Sequence, residues 1–305
     1  MSKAITKALS GSTVTRCAVD WLTTTARDES RCKALWDLGQ QVLAESEHEG
    51  EFATRGHLHG YAGFTTRHVF VGARADGTYL RLSSQQSAKH WLEALTAAEN
   101  CSRIDLAVDV HLHAPMAALS HDLYFKSPHR TAHRGRPPSR KLVQDTNGGT
   151  TVYFGSRSSE RLGRVYDKGR ETRTLAAGLW WRWELELKER QSAAAAHAIV
   201  SAPDPTSWVL GVNRRFFADR AGVSLPGSHS VVICNETQER STADKLLHWL
   251  ASGVRPTVAR LIEYYGRERV LTALGIPLRS AVNDSRATTK PEDAQWPPQS
   301  DRYTK

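Results

Sequence analysis

The sequence predicts an α+β fold: split βαβ, ferredoxin-like units that repeat to form an antiparallel-rich sheet, with a small helical region at the C-terminus. Three observations carry this. The first 112 residues alternate between helical and strand periods in the order β-α-β-β-α-β, the split βαβ arrangement. Three further alternating segments fall between residues 150 and 188. Helical spacing dominates from about Glu189 onward.

The elements follow in order. Ala18–Thr25 (AVDWLTTT) reads as the opening strand. Arg31–Glu45 places Leu35, Leu38, Val42 and Leu43 at helical spacing. Tyr61–Gly72 and Thr78–Ser83 read as two strands joined by an Asp76-Gly77 turn. Ser87–Glu99 is helical through Trp91, Leu92 and Leu95. Ser102–Leu112 (SRIDLAVDVHL) alternates strictly and is the clearest strand. Pro115–Phe125 reads as a short helix. Lys126–Lys141 holds six Lys/Arg, two His and three Pro with no acid. It cannot bury apolar surface and is expected to be a solvated basic loop. Thr150–Gly155, Arg161–Lys168 and Leu179–Lys188 are the later strands, the first two joined by the turn at 155–159. Asp204–Ala218, Thr242–Ala251, Thr257–Tyr265 and Arg267–Leu274 read as helices. The expected organisation is a flexible N-terminus at 1–15, a main domain at 16–200, a mainly helical region at 201–280 and a disordered tail at 281–305.

Composition narrows the function classes. The 305 residues carry 41 Lys+Arg against 32 Asp+Glu, a formal net charge of +9, with 40% apolar residues. The apolar share and the nine Trp, eight Tyr and seven Phe argue for a packed core rather than a disordered chain. No apolar run is long enough to span a bilayer, and MSKAITKALSGSTVTR has no apolar signal-peptide stretch. Cys17, Cys32, Cys101 and Cys234 are scattered without metal-type spacing and read as reduced thiols. The positive balance favours a polyanion partner, nucleic acid or anionic lipid.

Strand alternation sorts the chemistry onto faces. At 103–112, Ile104, Leu106, Val108, Val110 and Leu112 oppose Arg103, Asp105, Asp109, His111 and His113. At 161–168, Arg164, Tyr166 and Lys168 oppose Gly163, Val165 and Asp167. At 179–188, Trp181, Trp183, Leu185 and Leu187 oppose Arg182, Glu184, Glu186 and Lys188. If these strands are neighbours, one side of the sheet gathers carboxylates, guanidinium groups and a tyrosine. Carboxylates can hold a hard divalent cation, cations stabilise phosphate charge, and a tyrosine oxygen can attack phosphorus. Asp105 and Asp109 lie about 13 Å apart along an extended strand and cannot share one ion without a bulge. Glu184 and Glu186 lie about 7 Å apart and could flank one. A metal set of Asp105 or Asp109 with Glu184 or Glu186 is therefore expected. Tyr153 is a rival nucleophile whose face depends on hairpin register. His111-Leu112-His113 and His57-Leu58-His59 have the His-apolar-His form of another class of DNA-nicking enzymes.

At these residues the sequence resembles the Rep_trans-type replication initiation factors of rolling-circle plasmids and filamentous phages, with related relaxases in integrative elements. The resemblance rests on four ordered motifs: VDWLT at Val19–Thr23, SRIDLAVD at Ser102–Asp109, VYFGSRSSERLGRVYDKGRE at Val152–Glu171, and WWRWELELK at Trp180–Lys188. Together they span over half the chain. It implies a catalytic nicking domain at 16–200 that cuts one strand of single-stranded or cruciform origin DNA. A 5′-phosphotyrosine would form and the freed 3′-OH would prime synthesis. It places the nucleophile at Tyr166, with Tyr153 as the alternative. It puts Arg164, Lys168 and Arg182 at the phosphate, and Asp105, Asp109, Glu184 and Glu186 around Mg²⁺ or Mn²⁺. His111 is a further candidate ligand, because the histidines after the second motif depart from the family pattern. DNA contacts are expected from Lys126, Arg130, Arg134, Arg136, Arg140, Lys141 and Arg157. A host helicase and polymerase are the implied partners, no membrane is expected, and the setting is a bacterial host cytoplasm. The oligomeric state, a dimer included, stays open, as does the choice among phage, plasmid and integrative element. Two other readings stand beside this one: a non-catalytic DNA-binding replication regulator, and a His-apolar-His nickase built on His111 and His113.

Overall fold

The computed structural model describes residues 3–126, 139–146, 148–227, 231, 233 and 254–274. Among them, ten strands form one sheet in which every neighbouring pair is antiparallel. The strands are β1 (Thr13–Ala26), β2 (Thr54–Leu58), β3 (Tyr61–Thr65), β4 (Val69–Arg74), β5 (Gly77–Ser83), β6 (Asn100–His111), β7 (Arg140–Gln144), β8 (Thr150–Phe154), β9 (Arg161–Asp167) and β10 (Trp180–Lys188). Their order across the sheet is β2-β3-β4-β5-β1-β6-β10-β9-β8-β7. The helices are α1 (Lys3–Ser10), α2 (Glu29–His48), α3 (Ser84–Ala97), α4 (Leu119–Lys126), α5 (Lys168–Glu171), α6 (Glu189–Val200), α7 (Pro205–Ala221), α8 (Arg255–Tyr265) and α9 (Arg267–Ala273).

The split βαβ unit is present. Strand β1, helix α2, strands β4 and β5, helix α3 and strand β6 follow one another in the chain, and the strands lie in the spatial order β4-β5-β1-β6. The same sheet continues through β10, β9, β8 and β7. The stretch Tyr61–Gly72, expected as one strand, is two. It turns at 66–68, where the Thr65 hydroxyl and the Thr66 N–H both donate to the Val69 carbonyl at 2.9 Å. Strand β2 then lengthens that edge.

All the apolar strand faces share one core. Val71, Leu80, Leu82, Leu22, Ile104, Leu106, Val108, Trp183, Leu185, Val165 and Phe154 are buried in it. Helices α2 and α3 cover β1, β4 and β5; α6 and α7 cover β6 and β10; α4 covers β7 and β8. Helix α7 begins at Asp204, whose carboxylate accepts from the N–H groups of Thr206 and Ser207. It ends at Gly222 with φ 65°. Its Phe216 and Phe217 sit directly on Gly163 of β9: a Cβ there would fall 2.4 Å from the Phe216 ring. Phe217 meets Trp183 edge-on at 5.0 Å and Phe154 at 5.9 Å. The missing side chain at Gly163 is what seats α7 beneath the strand that carries Tyr166.

Three boundaries differ from expectation. The stretch expected as a flexible N-terminus, 1–15, contains α1 and the start of β1, because Ile5 and Leu9, one turn apart, are both buried in the core. The basic loop at 126–141 ends in strand β7, which pairs with β8 from Arg140 to Gln144. Residues 127–138 lie outside the described residues. The chain divides into two compact units, Met1–Glu236 and Thr237–Lys305. Helix α7 therefore belongs to the first unit, and α8 and α9 are the described part of the second. The helix expected at Thr242–Ala251 and the tail at 281–305 lie outside the described residues. Among the described residues no helix is long and apolar enough to cross a membrane.

Candidate active site

The face of the sheet opposite the helices is set by register. On β10, Arg182 stands across from Asp109 of β6 and Tyr166 of β9. Glu184 stands across from Ala107 and Arg164. Glu186 stands across from Asp105 and Leu162, and Lys188 from Arg103. Antiparallel partners share a face, so three strands bring the expected ions and the tyrosine together. Strand β8 adds Tyr153 and Thr151 to the same face, opposite Arg164 and Tyr166. The register question left open for Tyr153 is thereby answered: both tyrosines face this way.

Both faces of these central strands are buried, and the ionic side chains form a lattice. The Arg103 guanidinium grips Asp105 with Nε and Nη2 at 2.9 and 2.7 Å and lies 3.1 Å from Glu186. Lys188 pairs with Glu186 at 2.6 Å. Arg164 reaches Glu184 and, at 3.3 Å, Asp105. The small Ala107 opposite Glu184 leaves room for that reach. Arg182 grips Asp109 at 2.6 and 2.9 Å and extends Nη1 to Asp20 at 2.8 Å. The Tyr166 hydroxyl donates to Glu184 Oε2 at 3.1 Å. Lys168 lies 5.8 Å from the centroid of the Tyr166 ring and pairs with Glu171.

Asp20 was not singled out by strand alternation. It enters through a register irregularity of β1 between Val19 and Trp21, which a sequence does not display. Its signal was the one acid of the VDWLT motif. Arg16, 3.9 Å from both Asp20 and Asp109, completes this end of the lattice.

Burial and pairing set the protonation states. Burial pushes the Tyr166 phenol well above its ordinary value, and the neighbouring Glu184 charge adds to this. Burial also pushes Glu184 upward, but Arg164, Arg182 and the Tyr166 hydroxyl outweigh it and hold the carboxyl below its usual range. Burial wins at Asp105, which is lifted to about 7 with the Glu184 charge contributing, despite Arg103 and Arg164. The thiols are pushed the same way, Cys101 to about 12 and Cys17 to about 11, chiefly by burial, so neither is a ready nucleophile.

Several expected roles change with the geometry. Arg182 is buried and fully occupied by Asp109 and Asp20, so it orients the lattice rather than meeting phosphate in this arrangement. Asp109 is likewise committed to Arg182. Asp105, Glu184 and Glu186 have the oxygen donors that a divalent cation prefers, yet each accepts from a guanidinium or ammonium. Among the described residues no group of three or more His, Cys, Asp or Glu could hold a metal ion. As arranged, these residues do not fit a metal site. His111 stacks on Trp180 with centroids 5.8 Å apart, and His113 lies against Gly11. Of the expected DNA contacts, Lys141 stands opposite Tyr153 on the ionic face, and Arg157 lies 5.9 Å over the Tyr153 ring. Lys126 pairs with Asp122 at 2.6 Å. Arg140 is on the helix side, donating to the carbonyls of Tyr124 and Arg220 and lying over Phe154. Arg130, Arg134 and Arg136 are outside the described residues.

Comparison with known proteins adds the lineage. A "Putative DNA relaxase NicK" of Bacillus subtilis (strain 168) is 27% identical over 153 residues, 44% of this chain and 41% of that relative, so well under half of the relative's length is matched. A rolling circle replication initiator protein from Geobacillus stearothermophilus superposes with a TM-score of 0.47 at 19% identity, over 67% of this chain and 85% of that one. The model of the replication initiation factor family, Rep_trans, matches residues 99–274, which include β6 to β10 and all the motifs except the first. With more than half the chain matched, this protein belongs to the Rep_trans family of replication initiation factors.

Proposed function

We propose that this protein nicks and rejoins one DNA strand at a replication origin, with Tyr166 as nucleophile. The observation that carries the proposal is the hydrogen bond from the Tyr166 hydroxyl to the Glu184 carboxylate at 3.1 Å, inside a cluster of guanidinium groups. Tyr153 has cations for neighbours, Arg164 and Lys141 in register and Arg157 over its ring, and Tyr166 has the carboxylate.

In the reaction, the phenol oxygen forms a bond to phosphorus while the bond from phosphorus to the 3′ oxygen breaks. The phenol proton passes to Glu184, which is ionised at neutral pH and already in contact. The departing 3′ oxygen takes a proton from water and becomes the 3′-OH primer. Attack of a 3′-OH on the phosphotyrosine reverses these bonds and closes the strand. Arg164 holds Glu184 in place, and its charge and that of Arg182 both act on the Tyr166 hydroxyl. Arg182 stands beside Tyr166 in register and is itself fixed by Asp109 and Asp20. The Mg²⁺ or Mn²⁺ expected from the sequence would have to displace a guanidinium from Asp105 or Glu184. Single-stranded or cruciform origin DNA is the substrate in this reading, with a host helicase and polymerase acting on the product.

The test is a covalent-adduct assay. Labelled single-stranded DNA carrying the cognate origin is incubated with the protein in Mg²⁺, in Mn²⁺ and in EDTA, then denatured. The wild type is expected to give a protein–DNA band, Tyr153→Phe to retain it and Tyr166→Phe to abolish it. No band from the wild type overturns the enzyme reading in favour of a non-catalytic binding protein. A band from Tyr166→Phe that Tyr153→Phe lacks moves the nucleophile to Tyr153.

A further inference from the structure

On the same face as the ionic lattice, a pocket of about 480 Å³ opens over β1, β5 and β3. Its floor is aromatic. Tyr61 and Tyr79 lie 5.3 Å apart, and together with Phe70 they form a buried cluster separate from the main core. Trp21 carries two guanidinium groups, Arg103 at 4.7 Å and Arg81 at 5.5 Å from its ring. Arg74 lies 4.5 Å over Tyr61. His59, at the tip of the β2–β3 hairpin with φ 51°, is held 5.8 Å from Tyr79. This is the second His-apolar-His triplet of the sequence, and the nicking chemistry does not use it. Among the described residues no Asp or Glu lines the pocket. The Nε of Arg81 is buried without a hydrogen-bond acceptor among the described residues.

Aromatic rings with guanidinium groups over them, and no acid among the described lining residues, are the chemistry that takes an unpaired nucleobase. The ring faces and guanidinium planes give stacking surface. Arg103 links the two regions, because it grips Asp105 in the lattice and stacks on Trp21 in the pocket. Trp21 is in register, through Asp105 and Glu186, with Leu162 of β9, three strands across and four residues along from Tyr166, which is roughly 19 Å. We propose that this pocket holds one unpaired base of the DNA strand whose phosphate lies at Tyr166, a few nucleotides from the cut. The placement beside the cut rests on the nicking reading; the base-binding character rests on the pocket alone.

The test separates bases from phosphates. A roughly 12-nucleotide single strand and a wholly abasic strand of the same length and charge are titrated with the full chain at one salt concentration. The probes are oligothymidine and oligodeoxyguanosine. The wild type is expected to prefer the base-bearing strand by about 5- to 150-fold, the span that stacking of one base gives. Arg81→Lys keeps the charge and loses the planar stacking fork, so it is expected to shrink that preference several-fold with abasic affinity unchanged. Trp21→Leu is expected to do the same. A preference identical in the wild type and both variants overturns the proposal, as does equal wild-type affinity for both strands, which would mean a phosphate site only. Because this binding assay needs no cleavage, its failure is distinct from loss of the covalent adduct.

Discussion

A phenol held well above its ordinary ionisation range does not attack until its proton has somewhere to go, and among the described residues Glu184 is the carboxylate that its hydroxyl touches. Glu184→Gln keeps the shape and removes the acceptor. Single-turnover adduct formation should then slow by about 10²- to 10⁴-fold, the usual worth of a positioned base, with DNA affinity little changed. An adduct rate within a few-fold of wild type would remove Glu184 from the reaction. Asp105 gives a different test. Lifted to about 7, it keeps its proton in the folded chain at pH values where the unfolded chain, near the ordinary 3.8, has lost it. The folded state therefore binds more protons in that window, and stability contributed by this group falls as pH rises from about 4 to about 7. Asp105→Asn, always neutral, lacks that slope, so the Tm difference between variant and wild type should move in favour of the variant across the window. A pH-independent difference would contradict the lifted ionisation. At this scale much was legible: Asp105, Glu184, Glu186, Arg164 and Tyr166 all reach one face, because alternation with period two is strict. What was not legible was pairing. Spacing suggested carboxylates open to a metal, whereas register supplies each one with a cation from the next strand.

At the scale of elements, β9, the strand that carries Tyr166, depends on how closely α7 approaches it. Gly163 accepts the rings of Phe216 and Phe217 where any side chain would collide, so Gly163→Ala should overpack the core. A loss of about 1–3 kcal/mol is expected from the urea midpoint at unchanged slope. If stability is unaffected, α7 is free to shift and does not fix β9. The strands flanked by turn signals were readable, and so were the helices with wide apolar stripes. Strand β7 was not, because Arg140–Gln144 offers only Leu142 and Val143 as apolar residues and is held by its ladder to β8. Helix α1 was missed for a related reason: at eight residues, about two turns, its apolar stripe, which includes the buried Ile5 and Leu9, is too short to stand out. The irregularity in β1 that brings in Asp20 belongs to pairing and leaves no mark on composition.

For the whole molecule, the excess of positive charge does not lie where the chemistry is proposed. On the ionic face, Asp20, Asp105, Asp109, Glu184 and Glu186 meet Arg16, Arg103, Arg164, Arg182 and Lys188, so the lattice is close to neutral. DNA held by charge must then be held by cations around that lattice. Among the described residues, Lys141 and Arg157 are exposed cations that border it, both beside Tyr153. Each phosphate neutralised by such a side chain releases counterions and steepens the fall of affinity with salt. Lys141→Ala and Arg157→Ala should each weaken binding to single strands of any sequence and reduce the slope of log affinity against log salt by about 0.7. They should leave the rate of adduct formation at saturating DNA unchanged, since neither touches Tyr166 or Glu184. Anisotropy titrations over a series of salt concentrations would read the slope. An unchanged slope in both variants would move the DNA-holding charge off this rim, and a collapsed saturating rate would mean that the rim takes part in the chemistry itself.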